Sequence, residues 1–165
     1  MTHDASAATG RNETHLERCD RNFAELLAEV RVVQTGVQVL FAFLLTAPLT
    51  AGFDRLKTAE RAEYFVTLSL AGLAAILLIA PTAYHRLLFQ LGDKQHLVTM
   101  ANRLTVAGLV ALGFSICGAM TLVTSALFGV SRGWIAGVIT VVLCLELWIL
   151  LPLGRRRAIT GARGH

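Results

Sequence analysis

The chain has 165 residues, 55% of them apolar and 16% charged, with a formal net charge of +4. A soluble domain of this length scatters its charges over its surface, whereas here they fall in separate blocks. Lipid rather than water is therefore the expected solvent for most of the chain.

No charge lies between Arg31 and Asp54, between Glu63 and Arg86, or between Arg103 and Arg132, and only Glu146 interrupts the stretch from Arg132 to Arg155. The four windows, about 32–52, 62–84, 98–126 and 133–153, are each long enough to cross about 30 Å of hydrocarbon as a helix. They lack the alternation of barrel strands, and a bilayer offers no water to unpaired amides. The predicted fold is all-α: a polytopic membrane protein with four transmembrane helices occupying residues 32–153.

Residues 1–12 are polar and are expected to form a disordered tail. They contain no apolar core of a cleavable signal, so the first span is expected to act as an uncleaved insertion signal. Residues 13–31 read as an amphipathic helix continuous with that span. Leu16, Cys19, Phe23, Leu26, Val30, Val33, Val37, Leu40 and Leu44 keep a 3,4 spacing across the change from polar to apolar surroundings. Thr14 with Glu17 has capping-box spacing, and a helix from there to Pro48 would run about 50 Å. Its seam, with Leu16, Phe23, Leu26, Val30, Val33 and Val37 as assembly residues, packs within or between subunits, or the segment lies on lipid headgroups. Asp20, Glu25 and Glu29 favour packing, because anionic lipid repels them.

Of 15 basic residues, 11 fall on the side of the N-terminal segment, the middle loop and the tail. Only Arg55, Lys57, Arg61 and Arg132 lie opposite, which predicts a cytoplasmic membrane protein with both termini in the cytoplasm. Tyr64 and Trp134 mark the outer boundary and Tyr84 the inner one. Pro81 and Pro152 read as helix ends, and residues 154–165 as a basic tail against anionic lipid rather than nucleic acid.

Polar residues inside the spans are the candidate site: Arg31, Gln34 and Gln38 on one face of the first helix, Asn102 and Arg103 on the third, and Glu146 on the fourth. Counted inward from the span boundaries, Gln38, Arg103 and Glu146 share a layer about 10 Å deep. A carboxylate there must carry a proton or face a partner, with Arg103 the one strong cation at its level. The cluster reads either as interhelical glue or as a proton or ion site. Arg103 also has the reach to extend back to the headgroups. Small residues supply close packing: Ala107, Ala111, Ser115 and Ala119 every fourth position, and a GxxxG step at Gly133 and Gly137.

Cys19, Cys117 and Cys144 are odd in number and scattered, implying neither a disulfide framework nor a zinc site. His85, His96 and Asp93 make no metal-binding pattern, and no phosphate-binding motif is present, so no cofactor and no enzymatic chemistry are expected.

The blocks "ERCDRNFAELLAEVRVVQTGVQVLFAFLL", "APTAYHRLLF", "ANRL" and "LWILLPLGRRR", in this order, resemble a family of small actinobacterial membrane proteins catalogued as a domain of unknown function. The resemblance extends from Glu13 to Arg157. It implies a four-span inner-membrane protein, and some such relatives carry a sodium:proton antiporter label; it supplies no catalytic residues. The expected role is a noncatalytic homo-oligomeric assembly module, with a possible cytoplasmic partner on residues 13–31. The alternative is a small oligomeric ion or proton channel or carrier.

Overall fold

The computed structural model describes residues 15–88 and 94–155. Helix α1 spans His15–Thr46, α2 Thr58–Leu88, α3 Lys94–Phe128 and α4 Val130–Leu145, the last continuing as a π-helix over Glu146–Leu150. All four are long and apolar enough to cross a membrane, over Ala24–Leu49, Thr58–Tyr84, Val98–Phe128 and Val130–Arg155. The expected tail at 1–12, the Thr14 cap, Asp93 and the tail after Arg155 lie outside the described residues, and of His96 only the backbone, within α3, is described.

The first helix is continuous, as its seam predicts. Val30, Val37 and Leu44 are buried, and Leu26, Val33 and Leu40 flank them against α2 and α3. From Leu26 onward the seam is thus consumed within the subunit. The side chains of Leu16, Cys19 and Phe23 lie outside the described residues.

Pro48 ends α1 by starting a 3-10 turn, Ala47–Leu49. A second turn, Phe53–Arg55, leads into α2, where Glu60 reaches back to the Lys57 N–H at 2.8 Å. Arg61 braces this loop by donating to the carbonyls of Leu56 and Asp54, with its guanidinium 5.8 Å from the Phe53 ring centroid. Phe53 meets Tyr64 edge-on, and the Tyr64 hydroxyl donates to the Leu44 carbonyl.

Pro81 corrects the sequence reading. It is a buried residue inside α2, not a helix end, and the helix continues to Leu88. A transmembrane helix tolerates proline where a neighbour satisfies the freed backbone. Pro81 leaves the Leu77 carbonyl without its helical donor, and Gln34 of α1 donates to the neighbouring Leu78 carbonyl at 2.8 Å.

Between α3 and α4 the expected six-residue loop shrinks to Gly129, whose φ of 94° and ψ of 158° are accessible to glycine alone. The turn sets the two helices antiparallel. Small residues then bring them close: a Cβ on Gly133 would collide with Ser125 Oγ and the Thr121 carbonyl, and one on Gly137 with Thr121 Oγ1.

The helices do not pack equally. Among the described residues α1, α2 and α3 contact one another, while of the other three helices α4 touches only α3. The core accordingly lies among the first three, around Val30, Val37, Ala74, Leu78, Ala111 and Leu112.

Candidate functional site

Glu146 is the chemically sharpest group in the molecule. On α4 and its π-helical continuation the residues facing α3 are Gly133, Gly137, Cys144 and Trp148; Gly113 faces the Trp148 ring, and Cys117 lies near Cys144. Nine residues beyond Gly137, at about 100° per residue, Glu146 points the opposite way. Its side chain is exposed and has no hydrogen-bond or ion-pair partner among the described residues. In hydrocarbon, that exposure aims a carboxyl group at lipid.

Pro152 explains the π-helix beside it. A proline at this position has no N–H for Trp148 and its ring crowds that carbonyl. Widening the preceding turn relieves the conflict: the Leu151 N–H bonds to the Glu146 carbonyl, five residues back, and residues 151–155 return to α-helix. Pro152 is therefore also no helix end. A shallow groove lined by Glu146, Leu150, Pro152, Gly154 and Arg155 runs along this stretch.

Of the three residues expected in one layer, Arg103 stands apart, and Gln34, expected on the same face of α1 as Gln38, is engaged elsewhere. Gln34 turns inward to the Leu78 carbonyl, and Arg103 is exposed without an ion pair to Glu146 among the described residues. The register explains the separation. Arg103 lies 26 positions before the Gly129 turn and Glu146 only 17 after it. The nine-residue difference places them about 14 Å apart along the helix axes.

Gln38 does share the Glu146 level. Stepping back along α3 from Thr121, opposite Gly137, by the nine residues that separate Gly137 from Glu146 reaches Leu112. Gly108 and Gly118 bracket Leu112 against Leu78 and Thr67 of α2, which puts Gly72 at the same height. Gly72 faces Phe41 of α1, one turn from Gln38. Gln38 is exposed and, like Glu146, has no partner among the described residues. Arg31 and Asn102 are exposed as well.

The packing residues fare better. Ala111, Ser115, Ala119, Gly133 and Gly137 are buried, and Ser115 Oγ donates to the Thr67 carbonyl at 3.0 Å. Ala107 is exposed, because a four-residue repeat drifts about 40° per step and its first member leaves the interface. The missed signal was Gly108, Gly113 and Gly118, a glycine every fifth residue, which admits Leu78, Trp148 and Thr67. Cys117 and Cys144, scattered in sequence, meet across α3 and α4.

Near the Gly129 end an apolar cleft of about 310 Å³ opens between α1, the first loop and α3, lined by residues including Phe43, Phe53, Leu122 and Leu127. No group of three His, Cys, Asp or Glu able to hold a metal ion occurs among the described residues.

No curated protein and no solved structure matches the chain. Residues 12–152 match a family described as a family of unknown function (DUF6328). With most of its length inside that match, the chain belongs to this family.

Proposed function

We propose that the protein is a noncatalytic assembly module of the cytoplasmic membrane, both ends in the cytoplasm, whose subunits associate through the open face of α4. One observation carries this reading: α4 is held by a single helix, and its opposite face, Ile135, Ile139, Val142 and Ile149, has the unpartnered Glu146 in its course. Hydrocarbon does not solvate such a group, and a polar residue in an apolar seam fixes register and subunit number. α1 adds a cytoplasmic surface. Leu78 lies beside Gln34, so the N-terminal turns of α1 run past the end of α2 and present the exposed Arg21–Glu25 pair to a possible partner.

Mass measurement of the full chain in lipid nanodiscs tests the reading. A multiple of the 17.8 kDa subunit is expected; a monomer across the accessible concentration range overturns it.

A second reading, a proton or cation carrier, is favoured by the position of Glu146 beside a π-turn, a distortion frequent at functional sites. A path past Glu146 would run between subunits, since this side chain points away from its own α3. Proteoliposome flux lost in Glu146→Gln supports it, and equal silence of wild type and variant under ionic gradients removes it.

A further inference from the structure

We infer that Glu146 of one copy hydrogen-bonds to Gln38 of a second copy, joining α4 to the outer flank of α1 in a head-to-tail ring within the bilayer. The inference rests on the self-association proposed above and names its contact.

Depth is the first ground. Through the contacts Gly137–Thr121, Gly108–Leu78, Gly118–Thr67 and Gly72–Phe41, the two residues lie within about one helical turn, roughly 5 Å, of the same level. Long side chains span that offset.

Chemistry is the second. Exposed threonines in the spans satisfy their hydroxyls on their own helix, as Thr35 does at the Arg31 carbonyl and Thr46 at the Phe43 carbonyl. Gln38 and Glu146 have no such outlet. A carboxamide offers two N–H donors and a carbonyl acceptor, so it pairs with a carboxyl group in either protonation state. A second copy supplies that group at the right depth. Arg103 does not, lying about 14 Å away along the axis.

Geometry is the third. α1 and α4 both border α3 but, among the described residues, do not touch each other. Gln38 lies on the lipid side of α1, beyond the buried seam of Val30, Val37 and Leu44, and Glu146 lies opposite the α3 contact. Faces that diverge on one subunit meet only between subunits, and a head-to-tail contact of this kind closes as a ring when the rotation from copy to copy returns to its start. The groove beside Glu146, open at Pro152 and Gly154, gives the incoming α1 flank room to approach.

The test is oxidative cross-linking in membranes of the full chain, with Cys19, Cys117 and Cys144 replaced by serine or alanine and Gln38→Cys and Glu146→Cys introduced together or singly. The double variant is expected to give a ladder extending past the dimer, and each single variant little product. Dimers from Glu146→Cys alone would mean that α4 meets α4, overturning the pairing while leaving self-association intact. A double variant that gives no product, while the wild-type chain keeps its oligomeric mass in nanodiscs, overturns the pairing too. A monomeric wild-type mass removes the assembly reading itself. Without new cysteines, Gln38→Leu is expected to weaken association about fivefold, the effect of one intramembrane polar contact. Gln38→Glu paired with Glu146→Gln, which exchanges the two groups, should restore it; failure of that exchange, with both variants folded, counts against the contact.

Discussion

The Gln34 side-chain amide of α1 donates to the Leu78 carbonyl of α2 at 2.8 Å, three residues before Pro81. This side chain fixes the height of α1 against α2, on the carbonyl next to the one, Leu77, that Pro81 leaves without a helical donor. Gln34→Leu keeps the apolar volume and removes the amide. It should lower stability by about 1 kcal/mol, measured by denaturation in mixed micelles. The loss should be equal in a Pro81→Ala background, because the restored N–H would bond to Leu77 and not to Leu78; a smaller loss there would show that the hydrogen bond compensates for the proline.

Gly137 sits where any Cβ would strike Thr121 Oγ1, whose hydroxyl donates to the Cys117 carbonyl at 2.9 Å. Gly137→Ala should therefore push α4 from its only neighbour, at a cost of about 1–3 kcal/mol. Thr121→Ala removes the obstructing oxygen. The double variant should recover most of the loss in thermal unfolding, whereas additive losses would argue against this contact.

Gly129 is the joint that sets the height of α4 on α3. Its φ of 94° with ψ of 158° lies in a region other residues avoid, and no neighbour crowds its Cβ position. Gly129→Ala should cost about 1–3 kcal/mol from backbone strain alone. Inserting a second glycine there should cost less in strain but loosen the register, read as lower thermal stability with retained helicity.

The sequence revealed those features that repeat along a helix. The seam from Leu26 to Leu44 was legible because burial against α2 and α3 recurs at the helical period, and Gly133 with Gly137 was legible because close approach demands small residues at fixed spacing. Heights between helices were not. They depend on where a turn pins two strands of chain, and Gly129, not the charged boundaries, decides that Arg103 and Glu146 are separated. The partner of Gln34 was equally hidden, since it is a backbone carbonyl that any residue at position 78 would supply. Pro81 and Pro152 read as helix ends because soluble helices stop at proline; here α2 runs on through Pro81, and a π-turn carries the fourth helix past Pro152.

Cys117 and Cys144 give a direct readout of the α3–α4 register. Their thiols lie near each other across the interface, Cys117 buried and Cys144 half-buried, and both are free. Mild oxidation with a membrane-permeant reagent in a Cys19→Ser chain should join them within one subunit, each sulfur losing its hydrogen to the oxidant. Alkylation followed by mass measurement should then find no free thiol on a monomer-sized chain. Covalent dimers would require α4 to leave α3 and offer Cys144 to another copy, which the collisions at Gly133 and Gly137 show to be a tightly nested contact giving way. Efficient intramolecular closure therefore fixes the height from which the level of Glu146 follows, independently of whether copies assemble.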